Sequence, residues 1–193
     1  MNSVAVYCGS SAGANPAYVA RAQALGAALA AQRLALVYGG GRVGLMGAIA
    51  DAVLAGGGRV VGVIPNFLAD KELAHKGCTE LHVVGSMHER KLLMADRADA
   101  FIAMPGGYGT LEELFEVLTW GQLGLHQKPV GLLNVAGYYD HLLRALDRMR
   151  DDQLLRPENR AALLQDDDPA GLLAQLARYR PAPVEKWLDP STT

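Results

Sequence analysis

The chain has 193 residues, half of them hydrophobic, and a formal net charge of −2 at pH 7. Length and composition fit one globular domain with a buried core and exclude a disordered chain. Near-neutral charge without a long basic run argues against nucleic acid or an acidic membrane as partner. Two cysteines argue against a disulfide scaffold and predict a reducing, cytoplasmic location. No signal peptide or membrane-spanning run is recognised.

Short apolar runs alternate with helical patterns along the chain. Strands are predicted in SVAVYC from Ser3, LALVYG from Leu34, RVVGVI from Arg59, ELHVV from Glu80, DAFIAM from Asp99 and PVGLLN from Pro129. Helices are predicted at 16–32, 44–55, 86–97, 110–123, 138–152 and 169–178. Unbroken Val, Ile, Leu and Ala indicate strands buried on both faces. The alternation predicts the α/β class, a doubly wound parallel sheet in a single domain at 1–180 with a proline-containing tail at 181–193.

The loop after the second predicted strand, GGGRVG from Gly39 to Gly44, has the spacing of a dinucleotide fingerprint. That fingerprint also needs an acid about 20 residues later, at the end of the next strand. Here the next strand ends in VIPN, and the first acid is Asp70. The loop is therefore interpreted as a turn of close backbone approach, with plain helix–strand packing as the alternative, and not as an NAD site.

A second glycine turn, PGGYGT from Pro105 to Thr110, follows the fifth predicted strand. Ligands of open parallel sheets bind beyond the carboxyl ends of strands. Glycines let backbone N–H groups point into one concavity, and the helix start adds partial positive charge. The turn predicts a phosphate site that uses no lysine. The alternative is a tight turn capped by Thr110.

Two adjacent carboxylates begin the helix that follows this turn. A helical wheel assigns four apolar residues to the sheet-facing stripe: Leu111, Leu114, Phe115 and Leu118. It places Glu113 almost opposite, beside Trp120 and near Val117, which predicts that a partner subunit covers this face. Glu112 is interpreted as a solvated partner of the helix dipole. Glu113 lies about one turn, ~5 Å, beyond the glycines, so one ligand can set its anion on the turn and its sugar against Glu113.

The helix before the fifth strand offers two cations. Met87, Arg90, Lys91 and Met94 share one face by their i, i+3, i+4, i+7 spacing. A solvated basic face is the simpler interpretation of such a pattern. However, the helix runs directly into the strand that carries the second glycine turn, which favours a place for these residues in the same site.

Three motifs, VYGGGRVGLMG, MHERK and PGGYGTLEE, together resemble the LOG ("lonely guy") family of cytokinin riboside 5′-monophosphate phosphoribohydrolases, whose members were long labelled lysine decarboxylases. The similarity runs from VAVYCGSS to beyond KPVGLLN, about four-fifths of the chain. It implies a Rossmann-like homodimer that needs no cofactor or metal. Its implied activity is hydrolysis of the N-glycosidic bond of an N6-substituted AMP, or of AMP itself in several bacterial relatives, to free base and ribose 5-phosphate.

The resemblance also implies residue roles. Arg90 and Glu113 are the implied catalytic pair. The implied phosphate contacts are Gly106, Gly107, Gly109 and Thr110, together with Gly40 and Gly41. The other implied substrate contacts are Glu72, Met87, Lys91 and Tyr108. Cleavage of a nucleoside bond builds positive charge on C1′ and O4′. A carboxylate there stabilises the charge and can deprotonate water. Arg90 serves either the leaving base or the phosphate, and both remain open.

Four other interpretations of the sequence are less well supported. A metal site at His75, Cys78 and His82 lacks standard spacing and a fourth ligand. Cys8 has no evident histidine partner and is better explained as a small core residue. A pyridoxal-phosphate decarboxylase needs a Schiff-base lysine, for which Lys76 is the only hint. The main alternative is a non-catalytic nucleotide or cofactor carrier of the same fold, which would need the glycine turn but not Arg90 with Glu113.

Overall fold

The computed structural model describes residues 1–69 and 74–181. Its strands are β1 (Ser3–Tyr7), β2 (Ala35–Tyr38), β3 (Val60–Pro65), β4 (Glu80–Val84), β5 (Ala100–Ala103), β6 (Val130–Leu133) and β7 (Leu163–Asp166). They form one sheet in the order β4-β3-β2-β1-β5-β6-β7, with every neighbouring pair parallel. Parallel pairing requires a crossover after each strand, and the helices supply it.

The helices are α1 (Pro16–Ala31), α2 (Gly44–Ala55), α3 (Asn66–Ala69), α4 (Met87–Arg97), α5 (Tyr108–Gln122), α6 (Asp140–Asp151), α7 (Pro157–Ala161) and α8 (Pro169–Arg178), with a 3-10 turn at Val135–Gly137. Side-chain caps fix several starts. Asn15 accepts from the Ala17 N–H, Ser86 from the Glu89 N–H and Asp168 from the Gly171 N–H. Each cap satisfies one backbone donor that has no partner inside its helix.

Helices cover both faces of the sheet. Buried side chains of α1, α2 and α8 form one apolar cluster with one face of the strands. Those of α4, α5 and α6 form a second cluster on the other face. The predicted class, α/β with a doubly wound parallel sheet, is confirmed. Burial on both faces explains why the strand sequences are unbroken apolar runs. The edge strand β4 differs, because most of its residues are only partly buried.

Strand order reverses at β1, because the chain builds outward from β1 through β2 on one side and through β5 on the other. Two hydrogen bonds join the loops there: Gly9 N donates to the Pro105 carbonyl at 3.0 Å, and Leu45 N donates to the Gly9 carbonyl at 3.1 Å. The loops after β1 and β5 and the start of α2 therefore meet at the carboxyl end of the sheet, where ligands of such folds bind.

Some elements differ from the sequence predictions. Strand β7 and the short helices α3 and α7 were not predicted. Helix α5 begins at Tyr108, two residues earlier than expected. The tail at 181–193, and with it the single-domain boundary, stays a prediction, since residues 182–193 lie outside the described part. Within the described residues, every helix is too short or too polar to span a membrane.

Candidate active site

The turn Pro105–Thr110 presents a row of free backbone donors. Gly107 is the N-cap of α5, and no side chain caps that helix. Among the hydrogen bonds of residues 1–69 and 74–181, none is donated by the backbone N–H of any residue from 106 to 110. The first N–H groups of any helix lack partners within the helix. Here the glycine turn extends that row beyond the helix, which makes the turn suited to an anion.

Four consecutive backbone carbonyls, from Met104 to Gly107, are hydrogen-bonded to other groups of the protein. Each accepts one hydrogen bond: Met104 from Tyr139 Oη at 2.5 Å, Pro105 from Gly9 N at 3.0 Å, Gly106 from Tyr138 Oη at 2.6 Å, and Gly107 from Leu111 N at 3.2 Å. The carbonyl and the N–H of one planar trans peptide point in opposite directions. Fixing the carbonyl oxygens against the protein therefore holds the following N–H groups away from it.

The glycines of the turn differ in what they require. A Cβ at Gly106 would overlap the Thr110 hydroxyl and lie 2.9 Å from Gly9 N, so only glycine fits there. A Cβ at Gly107 or Gly109 would meet no protein atom within 4 Å. Thr110 is buried at 4% exposure. Gly106 is thus needed by the fold, whereas Gly107 and Gly109 border open space that a ligand can occupy.

Arg90 of α4 reaches the ends of two strands. Its Nε donates to the Val63 carbonyl at 3.2 Å and its Nη2 to the Gly39 carbonyl at 3.3 Å. A Cβ at Gly39 would overlap the guanidinium, so the first glycine loop makes room for Arg90. Met87 lies beside it, with Sδ 3.8 Å from Arg90 Nη1. The loop read as a close-approach turn in the sequence therefore positions a cation.

The next two glycines of that loop face other neighbours. Gly40 has φ +72°, a left-handed conformation that favours glycine, and its carbonyl accepts from His75 N at 2.8 Å. A Cβ at Gly41 would lie 2.8 Å from Met46 Cε. Their contacts are thus with the chain after β3 and with α2, and their assignment to a phosphate stays a prediction.

Glu113 is a buried carboxylate beside Arg90. It is 9% exposed, and its Oε1 lies 3.8 Å from Arg90 Nη1. No hydrogen bond to this carboxylate occurs among the described residues. Burial raises the pKa of Glu113 to about 7, with Arg90 opposing the shift and Glu112 adding to it. At neutral pH the group therefore exchanges a proton readily, a property common to functional carboxylates.

The helical wheel for α5 was wrong in its rotation. Glu113 lies on the buried face with Leu114 and Val117, while Phe115, assigned to the sheet, is 37% exposed. Val117 is 1% exposed within one chain, so it does not need a partner subunit to cover it. Apolar residues occupy most of the circumference of α5, and a wide apolar arc does not by itself fix which side faces the sheet.

Lys91 links α4 to α5. It is 7% exposed, and its ammonium bonds to Glu112 and, at 3.0 Å, to Glu116. Burial lowers the pKa of Lys91, but the two carboxylates outweigh that effect and the net shift is upward. The interpretation of Glu112 as only a solvated dipole partner was therefore wrong, because it forms an ion pair across two helices.

The remaining candidates fall in different places. Tyr108 is 93% exposed at the start of α5, and Met87 is 36% exposed. Glu72 lies outside the described residues. Burial raises the pKa of the Cys8 thiol far above its ordinary range, which argues against a thiolate nucleophile. His75, Cys78 and His82 bond to Asp51, Tyr38 and Glu80 respectively. Residues 1–69 and 74–181 hold no cluster of three or more His, Cys, Asp or Glu suited to a metal.

Two tyrosines that bond to the turn and to the residue before it were not predicted from the sequence. Tyr138 and Tyr139 follow β6, in the motif GYYD, and their hydroxyls reach the carbonyls of Gly106 and Met104. Their position after a strand of a parallel sheet was a usable signal, since the loops at that edge converge. The two consecutive residues were instead counted as the start of a helix, which begins at Asp140.

The fold and this site define an α/β protein in which free N–H groups and a buried Arg–Glu pair share the carboxyl end of the sheet. Residues 46–176 match a family model described as "Possible lysine decarboxylase". The chain is 52% identical to a probable cytokinin riboside 5′-monophosphate phosphoribohydrolase of Oryza sativa subsp. japonica, over 92% of this chain and 78% of the relative. It is 50% identical to a cytokinin riboside 5′-monophosphate phosphoribohydrolase of Arabidopsis thaliana, over 92% and 82%.

The chain therefore belongs to the LOG family, and the resemblance found in its motifs is confirmed. Among solved structures, it is similar to a molybdenum cofactor binding protein of Rippkaea orientalis (TM-score 0.70, 21% identity, 92% of this chain and 96% of the other). It is also similar to the Moco carrier protein of Chlamydomonas reinhardtii (TM-score 0.69, 20% identity, 92% and 96%). At such identities these likenesses establish the Rossmann-like fold alone.

Replacing Glu113 by Gln tests the raised pKa. The free carboxyl titrates near 4.5 and the folded one near 7, so the folded state holds the proton more tightly. This contribution to stability is full below pH 4.5 and is lost as the pH rises through 7. Glu113→Gln does not titrate. We expect it to be more stable than wild type at pH 8 by up to about 3 kcal/mol, at 1.36 kcal/mol per pKa unit, with the gain vanishing near pH 4.5.

Urea unfolding at a series of pH values measures this difference. Glu158→Gln, at an exposed carboxylate of α7, is the control and should stay within about 0.5 kcal/mol of wild type throughout. A gain for Glu113→Gln that is the same at pH 4.5 and pH 8 would contradict a strongly raised pKa.

Proposed function

We propose that this protein hydrolyses the N-glycosidic bond of adenosine 5′-monophosphate or an N6-substituted derivative, releasing the free base and ribose 5-phosphate. This is the class of reaction carried by the names of the relatives at about 50% identity. The observation that carries the proposal here is the buried pair Arg90–Glu113, with 3.8 Å between Nη1 and Oε1. It lies about one helical turn, ~5 Å, from a row of free backbone N–H groups.

In this proposal the phosphate binds the turn at the start of α5. Gly106, Gly107, Gly109 and Thr110 supply backbone donors, and the helix dipole adds partial positive charge. Gly107 and Gly109 support the assignment because the space beside their Cα atoms is open. Tyr108, exposed between them, is proposed as a further substrate contact, and Met87 and Lys91 as contacts on the α4 side.

The sugar then lies against Glu113. As the base leaves, positive charge grows on C1′ and O4′. An ionised carboxylate in a poorly solvated position stabilises that charge strongly, because little water screens it. A pKa of about 7 also lets the same group take a proton from the attacking water. Arg90 lowers the pKa of Glu113 and so favours its ionised form, while two backbone carbonyls hold the guanidinium in place.

Two other functions fit these observations less well. A carrier of the same fold would use the free N–H groups, but it has no use for an ionisable carboxylate buried without hydrogen bonds. A decarboxylase that uses pyridoxal phosphate needs a lysine that is enclosed in the cofactor site and free to form a Schiff base. Of the lysines that the structure describes, Lys76 is exposed, Lys91 bonds to two carboxylates and Lys128 Nζ donates to the Ala95 carbonyl at 2.8 Å.

We also propose a cytoplasmic homodimer. Cys8 and Cys78 are free thiols, which suits a reducing compartment. Helices α4 and α5 expose apolar side chains, with Leu92 55%, Phe115 37% and Met87 36% exposed. Burying one large apolar side chain contributes roughly 1.5–3 kcal/mol. These residues replace Val117 and Trp120 as the argument for a partner, since the latter two pack into the core of one chain.

Glu113→Gln tests the catalytic assignment. It keeps the shape of the side chain but removes the charge that opposes the cation at C1′. We expect kcat for isopentenyl-AMP to fall by on the order of 100-fold or more, with KM changed far less, because the interaction strengthens in the transition state. Arg90→Ala should also cripple turnover. Steady-state release of free base measures both, with circular dichroism to confirm folding.

Glu112→Gln is the matched control on the same helix. Its side chain is 53% exposed, and Lys91 keeps its bond to Glu116 without it, so kcat should stay within a few-fold of wild type. Near-normal turnover by Glu113→Gln, or equal damage by Glu112→Gln, would remove the catalytic assignment and favour the carrier.

Comparison of AMP with adenosine tests the phosphate site. If the turn binds the dianion, kcat/KM should be at least about 100-fold higher for AMP, or roughly 2.7 kcal/mol. Gly107→Val should raise KM for AMP, because its side chain enters the open space beside the turn. Its melting temperature should fall by only a few degrees, since Gly107 has an extended backbone and no atom near its Cβ, although Val is less favourable than Gly at a helix N-cap. Equal turnover of nucleoside and nucleotide would exclude this turn as the phosphate site.

Light scattering at micromolar concentration tests the dimer. We expect twice the 20.5 kDa mass of one chain. Leu92→Arg should lower that mass toward the monomer, because it places a charge on the apolar surface of α4. Leu154→Arg, at an 82% exposed residue after α6, is the control and should leave the dimer intact. A monomeric wild type would overturn the proposed assembly.

A further inference from the structure

The peptide between Gly106 and Gly107 joins two glycines of the turn proposed to bind the phosphate. Glycine lacks a Cβ and populates many backbone conformations, so a peptide between two glycines rotates easily. A half rotation would exchange its N–H for its carbonyl and present a negative oxygen to a bound phosphate. A turn that binds anions well therefore needs something to hold this one peptide.

Tyr138 holds it. Its hydroxyl donates to the Gly106 carbonyl at 2.6 Å. The ring is fixed by edge-to-face contacts on two sides, with centroids 5.6 Å from Tyr18 and 4.9 Å from Tyr139. The chain reaches this position through left-handed backbone at Ala136 (φ 52°) and Gly137 (φ 71°). The contacts of the Tyr138 ring therefore hold its hydroxyl beside the Gly106 carbonyl.

The hydrogen bond also strengthens the donor on the other side of the peptide. A carbonyl that accepts a hydrogen bond polarises its peptide group, which makes the attached N–H a better donor. The N–H paired with the Gly106 carbonyl is that of Gly107, one of the free donors of the turn. The tyrosine hydroxyl therefore acts on a bound anion through the peptide, without touching it.

We infer that Tyr138 is a positioning residue for the substrate phosphate, which locks and polarises the Gly106–Gly107 peptide. This inference rests on the proposed phosphate site and assigns the maintenance of that site to a residue outside the turn. Tyr139 differs, although its hydroxyl also reaches the turn. It bonds to the Met104 carbonyl, whose peptide ends in Pro105 and has no N–H to polarise.

Tyr138→Phe tests the inference, because it keeps the ring and removes only the hydroxyl. Tyr138 is 41% exposed, so removal of its hydroxyl should leave the melting temperature of the protein within about 1 °C of wild type. We expect KM for AMP to rise about five- to tenfold with kcat within about twofold, and the residual turnover of adenosine to be unchanged. A fivefold to tenfold change is the effect of losing about one hydrogen bond.

Two variants provide matched controls. Tyr139→Phe removes a hydroxyl that is buried with its ring, so it should lower the melting temperature but leave KM for AMP within about twofold. Tyr18→Phe removes a hydroxyl from the same aromatic group that does not bond to the turn, and it should change neither quantity.

The outcomes separate this inference from the phosphate site on which it rests. If wild type prefers AMP over adenosine and Tyr138→Phe leaves KM unchanged, the inference alone is overturned. If Tyr138→Phe raises KM for AMP and the turnover of adenosine falls equally, the role is general packing, and the inference is also overturned. If wild type does not distinguish AMP from adenosine, both the phosphate site and the inference fail.

Discussion

The hydrogen bond from Gly9 N to the Pro105 carbonyl lies where the strand order reverses, and the site is organised around it. It ties the loop after β1 to the turn after β5. The Gly9 carbonyl then receives the N–H of Leu45, which brings the start of α2 to the same place. Both backbone groups of Gly9 are thus used to join loops. These bonds hold the free donors from 106 to 110 at the carboxyl end of the sheet, where the carbonyls of Val63 and Gly39 hold the Arg90 guanidinium.

A turn predicted to bind an anion and followed at once by carboxylates looks contradictory in the sequence, and the structure places cations of α4 beside those carboxylates. Lys91 pairs with Glu112 and Glu116, and Arg90 lies beside Glu113. Three carboxylates thus face two cations, which leaves one negative charge in excess. This excess is reduced at neutral pH because the pKa of Glu113 is about 7 and the group is partly protonated. Growth of positive charge on a sugar beside Glu113 would favour its ionised form, so the carboxylate responds most strongly at the moment when charge develops.

The sequence predicted the sheet and its helices well, because parallel strands buried on both faces leave an unmistakable apolar run. Strand β7 was not predicted, because only two of its four residues, LLQD, are apolar. Among the described strands, it lies at the edge of the sheet and pairs with β6 alone. The prediction that Arg90 and Glu113 act as a pair came from motifs, since the wheel placed Glu113 on the wrong face of α5; the structure brings the two side chains within 3.8 Å. The rotation of α5 depends on tertiary packing of Leu114 and Val117, which no local pattern records. The contacts of Tyr138 and Lys91 were likewise out of reach, since each joins elements distant in sequence.

Cofactor carriers share this fold at about a fifth identity, so the fold itself does not specify chemistry. In this chain the inward face of α5 carries a buried carboxylate, Glu113. Ionising Glu113 above pH 7 opposes folding by about 3 kcal/mol, at 1.36 kcal/mol per pKa unit. No hydrogen bond among the described residues compensates for this, and an apolar side chain there would continue the core formed by Leu114 and Val117. Packing alone gives no reason to bury a carboxylate at this position. The proposed reaction does provide a reason, because it builds positive charge on the sugar about one helical turn from the phosphate. To stabilise that charge, the Glu113 carboxylate must be poorly solvated, ionisable near neutral pH and free to face the substrate.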